Sequence, residues 1–136
     1  MKKLTLLAAA VVLLSGCTQR YIDFTTISSK NMDMSRGAEF ERGTQRVVGE
    51  DKSHIIIFIP TGQPNAKEAL DKAIESTPGA VALLDGVITH KFWWIPYIYG
   101  QSSIEVEGTP LIDPRLKPGY RAANAQAIPL SSNQAQ

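Results

Sequence analysis

The stretch HIIIFIPTGQPNAKEALDKAIESTPGAVALL (residues 54–84) decides the fold. Its first six residues, His54 to Ile59, are the most apolar run downstream of the N-terminal segment, and four of them are isoleucine. A run so short, stopped by Pro60-Thr61-Gly62, suits a central strand covered on both faces better than a helix, and it is the expected core. Asn65 then stands as a candidate helix N-cap with Glu68 three residues on, the arrangement that satisfies free amides of a first turn. Ala66, Ala69, Leu70, Ala73 and Ile74 share one stripe at helical spacing, and Glu68 and Lys72 lie one turn apart, where they can pair. Thr77-Pro78-Gly79 ends the pattern, so the spacing predicts a helix over 65–76 with its small-residue face on a sheet. Ala80 to Leu84 resumes an apolar strand. Strand, helix, strand at this spacing fits a right-handed parallel crossover, and an antiparallel arrangement fits as well.

Downstream, Asp85-Gly86 is expected to bulge or bend the chain before Val87-Ile88-Thr89-His90. Phe92, Trp93, Trp94, Tyr97 and Tyr99 crowd the next segment, and Ser102 to Glu107 alternates with Ile104 and Val106 on one face. Residues 87–108 therefore read as two strands joined through an aromatic turn. Upstream, Tyr21 to Ser29 is rich in aromatic and β-branched residues and reads as a strand. Residues 30–52 are polar, with Gly37, Gly43 and Gly49 and charges of both signs, which suits a solvated face with one short strand inside Ala38–Val48. After Asp113 come three bases, no acid, and mostly Pro, Ala, Asn, Gln and Ser, a composition too poor in apolar surface to offset its ordering entropy. The 136 residues thus suggest one α+β domain over 21–112, a single helix packed on a mostly antiparallel sheet of four or five strands, and a disordered tail over 113–136.

The N-terminus follows another logic. Lys2 and Lys3 precede an apolar run from Leu4 to Leu14, and Leu14-Ser15-Gly16-Cys17 closes it. That run is about 11 residues where a spanning helix needs roughly 20, so residues 1–16 read as a signal peptide. Leu-Ser-Gly-Cys resembles the lipobox of bacterial lipoproteins. The resemblance implies cleavage before Cys17, lipid attachment to its sulfur, and residues 17–20 as a lipidated N-terminus with a short tether. Cys17 is the only cysteine, so the domain forms no internal disulfide and has no thiolate metal site. Thr18 in place of Asp implies, in a Gram-negative cell, an outer-membrane lipoprotein facing the periplasm. Partners are then the membrane, through lipid on Cys17, and another envelope protein. Without Lys2 and Lys3, 12 of the 14 bases remain against 13 acids, and that balance argues against nucleic acid.

Chemistry is sparse. His54 and His90 sit at strand edges and, with Asp85, offer ligand types for a metal, but no ligand spacing demands one, so no metal or cofactor is expected. No nucleophile elbow, zinc-protease motif or phosphate loop occurs, Thr61 to Asn65 suits a plain helix cap, and Glu105 and Glu107 suit a solvated strand face. The aromatic segment remains: Trp93, Trp94, Tyr97 and Tyr99 form the candidate interaction surface, for a partner or for the membrane. The competing reading has Phe92, Trp94 and Tyr99 filling space between helix and sheet. Pro78-Gly79-Ala80, Ile98-Tyr99-Gly100 and Val106-Glu107-Gly108-Thr109, after the alanine-rich helix, resemble small TRL-like envelope lipoproteins over Ser53–Thr109. That resemblance implies fold and compartment and supplies no catalytic residue. The expected function is a non-enzymatic binding or scaffolding module of the cell envelope. A small hydrolase or metal-dependent enzyme is the alternative, and a surface lipoprotein that shields the cell from host or phage is a third class.

Overall fold

The computed structural model describes residues 16–120. Its strands are β1 (Cys17–Ile27), β2 (Glu41–Arg42), β3 (Val47–Ile56), β4 (Ile59–Pro60), β5 (Ala80–Ile95) and β6 (Tyr99–Ile112), with one α-helix, α1 (Ala66–Glu75), and 3-10 turns at Met34–Glu39 and Pro114–Leu116. All pairings are antiparallel, in the order β1-β5-β6-β3-β4 with β2 beside β6. The α+β expectation of one helix on an antiparallel sheet is met, with six strands instead of four or five. The crossover question has an intermediate answer. β3 and β5, which flank α1, each pair antiparallel with β6, so they run in the same direction with β6 inserted between them.

The helix forms as its spacing dictates. The Asn65 side chain accepts from the Lys67 N–H as N-cap, and Ala69, Leu70, Ala73 and Ile74 are buried. They pack with Ala80, Leu83 and Val106, flanked by Phe24, Ile27, Val47, Ile88 and Ile104. A Cβ at Gly49 would overlap the Ala69 carbonyl and the backbone of Ala73, so only glycine lets α1 lie this close to β3. Lys72 does not pair with Glu68. It donates instead to Asp51 on β3 at 2.7 Å, and Asp51 also accepts from the Asn65 N–H at 2.9 Å. These two donors hold the Asp51 carboxyl below the ordinary range. The i,i+4 pair on α1 is Lys67–Asp71, 2.7 Å.

Three expectations need correction. His54 to Ile59 is not the covered core. β3 ends at Ile56, the chain turns at Ile57-Phe58 into β4, and Ile56, Ile57, Phe58 and Ile59 are 53 to 74% exposed. The reason is length: the ten residues of α1 span about 15 Å, whereas the sixteen of β5 span about 53 Å. The helix covers one end of the sheet, and the most apolar run lies at the other. Residues 17–20 are not a separate tether, because β1 begins at Cys17 and pairs with β5 from there. Beyond Asp113 the chain is held for several residues: buried Asp113 caps the turn Pro114–Leu116, and its N–H donates to the Gly79 carbonyl at 2.9 Å.

The expected bend at Asp85-Gly86 is a register shift between Leu84 and Val87, with Asp85 at φ 47°, inside one continuous β5. β2 lies within the Ala38–Val48 window expected to hold a short strand. Most of the signal-peptide expectation, and residues 121–136 of the expected tail, lie outside the described residues.

Candidate functional site

Past the end of α1 the sheet continues as two bare hairpins, β3/β4 and β5/β6. The first turns through Ile57-Phe58 with Ile57 at φ 61°. The second turns through Pro96-Tyr97-Ile98, with the Ile98 N–H donating to the Ile95 carbonyl at 3.2 Å and Tyr97 at φ 64°. Glycine or asparagine is the usual occupant of such left-handed positions, and an isoleucine or tyrosine there costs on the order of 1–3 kcal/mol. The two tips are joined by a hydrogen bond from the Ile57 N–H to the Ile98 carbonyl, 3.2 Å.

Strand alternation sends aromatic rings to both faces of this end. On the helix-side face, Phe58 meets Trp94 at 6.0 Å between ring centroids and Tyr97 edge-on at 5.3 Å. The Trp94 indole lies so close over Gly100 that a Cβ there would collide with it, and its Nε1–H is covered without an acceptor among the described residues. On the opposite face Trp93 packs on Tyr99 at 5.4 Å, Tyr99 stacks on His54, and the Tyr99 hydroxyl hydrogen-bonds His54 Nδ1. All four expected residues therefore belong to one end of the molecule. Trp94 and Tyr99 are half-buried, but against other tip side chains. Tyr97 stands 74% exposed.

Sequence reasoning missed Ile57, Phe58, Ile59 and Ile98, which are all exposed at the same tip. The available signal was Pro60: proline closing an apolar run marks an edge strand, and a central strand is disfavoured there.

Two further features frame the tip. Cys17 pairs with Phe92, Phe92 with Ser102, and Ser102 with Ser53, so these four form one row across the sheet. Between that row and the tip there is no Asp, Glu, Lys or Arg: residues 53–66 and 92–104 contain none, and Lys52 and Lys91 are the last charges before it. Cys17 is exposed, and its register puts it on the face that carries Phe92 and Trp94.

The groups with catalytic potential do not converge. His54 lies opposite Gln101 and His90 opposite Ile104, an odd three residues apart on β6, so the two imidazoles occupy opposite faces. His90 stacks on Tyr21 and bonds Ser102 Oγ at 2.8 Å, while Asp85 pairs with Arg42 at 2.6 Å. Glu105 pairs with Lys91 at 2.7 Å and Glu107 with Arg46 at 2.5 Å. Among the described residues no three metal-ligating side chains gather. An apolar groove of about 380 Å³ runs between α1 and the end of β1, lined by Ile27, Ala66, Leu70 and Ile88. Its hydroxyls are engaged, Ser28 with the Val81 carbonyl and Ser29 with Asp71.

Comparison of the chain with protein-family models, with curated proteins and with solved structures finds no match. Among the described residues no helix is long and apolar enough to cross a membrane.

Proposed function

We propose that this chain is a lipid-anchored lipoprotein of the cell envelope that works as a non-enzymatic binding or scaffolding module, with the aromatic end of the sheet as its contact surface. The lipobox-like Leu14-Ser15-Gly16-Cys17 motivates the anchor, and Thr18 favours the outer membrane in a Gram-negative cell. The observation that carries the binding role is the exposed tip: Ile57, Phe58, Ile59, Tyr97 and Ile98 are each more than half exposed, with Phe58 against Trp94 and Tyr97. Contiguous apolar surface of this kind on a small domain marks a contact with a protein or a membrane. The enzymatic alternative has less support, since the histidines sit on opposite faces and the carboxylates are tied in ion pairs.

Two labels test the reading in the same cells. Wild-type protein should take up labelled palmitate and Cys17→Ala should not. Equal uptake by both removes the anchor. A photo-crosslinking amino acid at position 97 should give discrete adducts in intact cells, whereas the same group at exposed position 37 should not. Identical patterns from the two positions remove the contact surface.

A further inference from the structure

The tip's occupant can be narrowed. We infer that the two hairpin tips are a membrane-seating element: Ile57, Phe58, Ile59, Tyr97 and Ile98 enter the same lipid leaflet that receives the acyl chains of Cys17. The inference rests on the lipid-anchor reading of Cys17, and four observations carry it further.

First, the register brings the anchor and the tip to one end. Cys17 lies opposite Phe92, only four residues before Pro96 begins the β5/β6 turn, and on the face that carries Trp94. Second, charge stops at the row that contains Cys17. Every Asp, Glu, Lys and Arg of the described residues lies on the helix side of that row, and the one imidazole beyond it, His54, is hydrogen-bonded to the Tyr99 hydroxyl. A protein partner's surface would tolerate charge here, whereas hydrocarbon penalises it heavily. Third, the depth matches. Four residues of strand and the turn beyond them project about 13–17 Å past Cys17, comparable to the roughly 15 Å of one leaflet, half the hydrocarbon thickness. The tip therefore enters and does not cross. Fourth, the turns hold large apolar residues where the backbone favours glycine: Ile57 at φ 61° and Tyr97 at φ 64°, both more than half exposed. Beyond the edge-on contact of Tyr97 with Phe58, the fold makes little use of these exposed side chains. Contact with lipid gives them a use, and tryptophan and tyrosine beside aliphatic residues are the composition of a water–lipid boundary.

The backbone is suited to the role. Two of the turn amides are engaged: the Ile57 N–H donates to the Ile98 carbonyl across the tips, and the Ile98 N–H closes its own turn onto the Ile95 carbonyl. Each such bond lowers the cost of bringing the turn's peptide groups into hydrocarbon.

The chain has two tryptophans, Trp93 and Trp94, and both are at this end, so intrinsic fluorescence reports on the tip without a label. Full-length protein, purified from membranes in detergent, is reconstituted into phosphatidylethanolamine–phosphatidylglycerol vesicles with acyl chains brominated near the headgroup or near the methyl end. Mass spectrometry of the N-terminal peptide establishes its lipidation independently. The expected result is a shift of emission to shorter wavelength and a loss of intensity that is greater for the shallow bromines. The double variant Ile57→Asn, Tyr97→Asn keeps residues that tolerate left-handed backbone, so it stays folded by circular dichroism. It should remain in the vesicles through its lipid while the quenching falls. Lipidated wild type whose emission is untouched by either lipid overturns the seating element and leaves the anchor standing. Protein without lipid overturns the anchor, and if it also fails to bind vesicles, the seating element falls with it. Quenching unchanged in a folded double variant likewise overturns the inference.

Discussion

Replacing Gly49 by alanine tests the packing of the single helix most directly. The new Cβ would overlap the Ala69 carbonyl oxygen, the Ala73 nitrogen and the Ala73 Cβ. All three belong to or sit directly on the helix backbone, so no flexible side chain can swing away, and α1 must move as a body. Moving it opens the contacts of Ala69, Leu70, Ala73 and Ile74 with Leu83 and Val106, which are the buried core. Overpacking typically costs about 1–3 kcal/mol, and a rigid obstacle places this case at the upper end, about 3 kcal/mol. At about 4–8 °C per kcal/mol for a domain of this size, Tm should fall by roughly 12–24 °C. The assay is thermal unfolding followed by far-ultraviolet circular dichroism on the full chain in detergent. Gly37→Ala is the matched control, since a Cβ there meets nothing within 4 Å. A Gly49→Ala protein that melts within about 2 °C of Gly37→Ala, less than 1 kcal/mol on the same scale, would refute the close approach of α1 to β3.

Asp51→Asn should cost about 1 kcal/mol at pH 7, a discounted value for a partly exposed charged pair, by loosening both the Lys72 bond and the grip on the Asn65 N–H. Because the Asp51 carboxyl is held down in the folded state, its stabilisation is present above the unfolded carboxylate pKa of about 3.9 and is lost as pH falls through the lower folded value. The Tm gap between wild type and Asp51→Asn should accordingly close as the pH drops from 5 to about 2, and a gap constant over that range contradicts the assignment. Tyr97→Gly relieves a left-handed backbone while removing an exposed ring, so the detergent-solubilised protein should melt at the same temperature or higher, by up to about 1 kcal/mol in stability. A clear loss of stability would mean that the edge-on contact with Phe58 outweighs the strain.

The helix was legible because its signals are local: Asn65 as cap, alanine and leucine on one stripe, Thr77-Pro78-Gly79 as the stop. The bulge at Asp85-Gly86 and the aromatic turn between β5 and β6 were legible for the same reason. The misreading of His54 to Ile59 has the opposite cause. An apolar run says that side chains avoid water, but which element covers them depends on where α1 lands, and that is set by Gly49 and Asp51 on the same strand. Nothing between residues 54 and 59 records it. The site was half visible. Trp93, Trp94, Tyr97 and Tyr99 announce themselves by composition, whereas Ile57, Phe58 and Ile59 join them only through the pairing of β3 with β6. The opposed faces of His54 and His90 likewise follow from register, which no spacing in the sequence specifies.

Because β1 pairs with β5 from its first residue, Cys17 is part of the sheet, and the lipid anchor proposed there would have no flexible tether. A domain on a loose leash explores all orientations above its membrane, but one fastened through a strand stands in a fixed attitude. With Cys17 at the lipid surface, the twelve residue steps of β5 from Phe92 back to Ala80 would raise the helix end about 40 Å into the aqueous space if the strands run upright. The sheet then acts as a mast whose height is set by strand length, and lengthening or shortening β5 and β6 together by two residues would reset that height by about 7 Å without turning the core face outward.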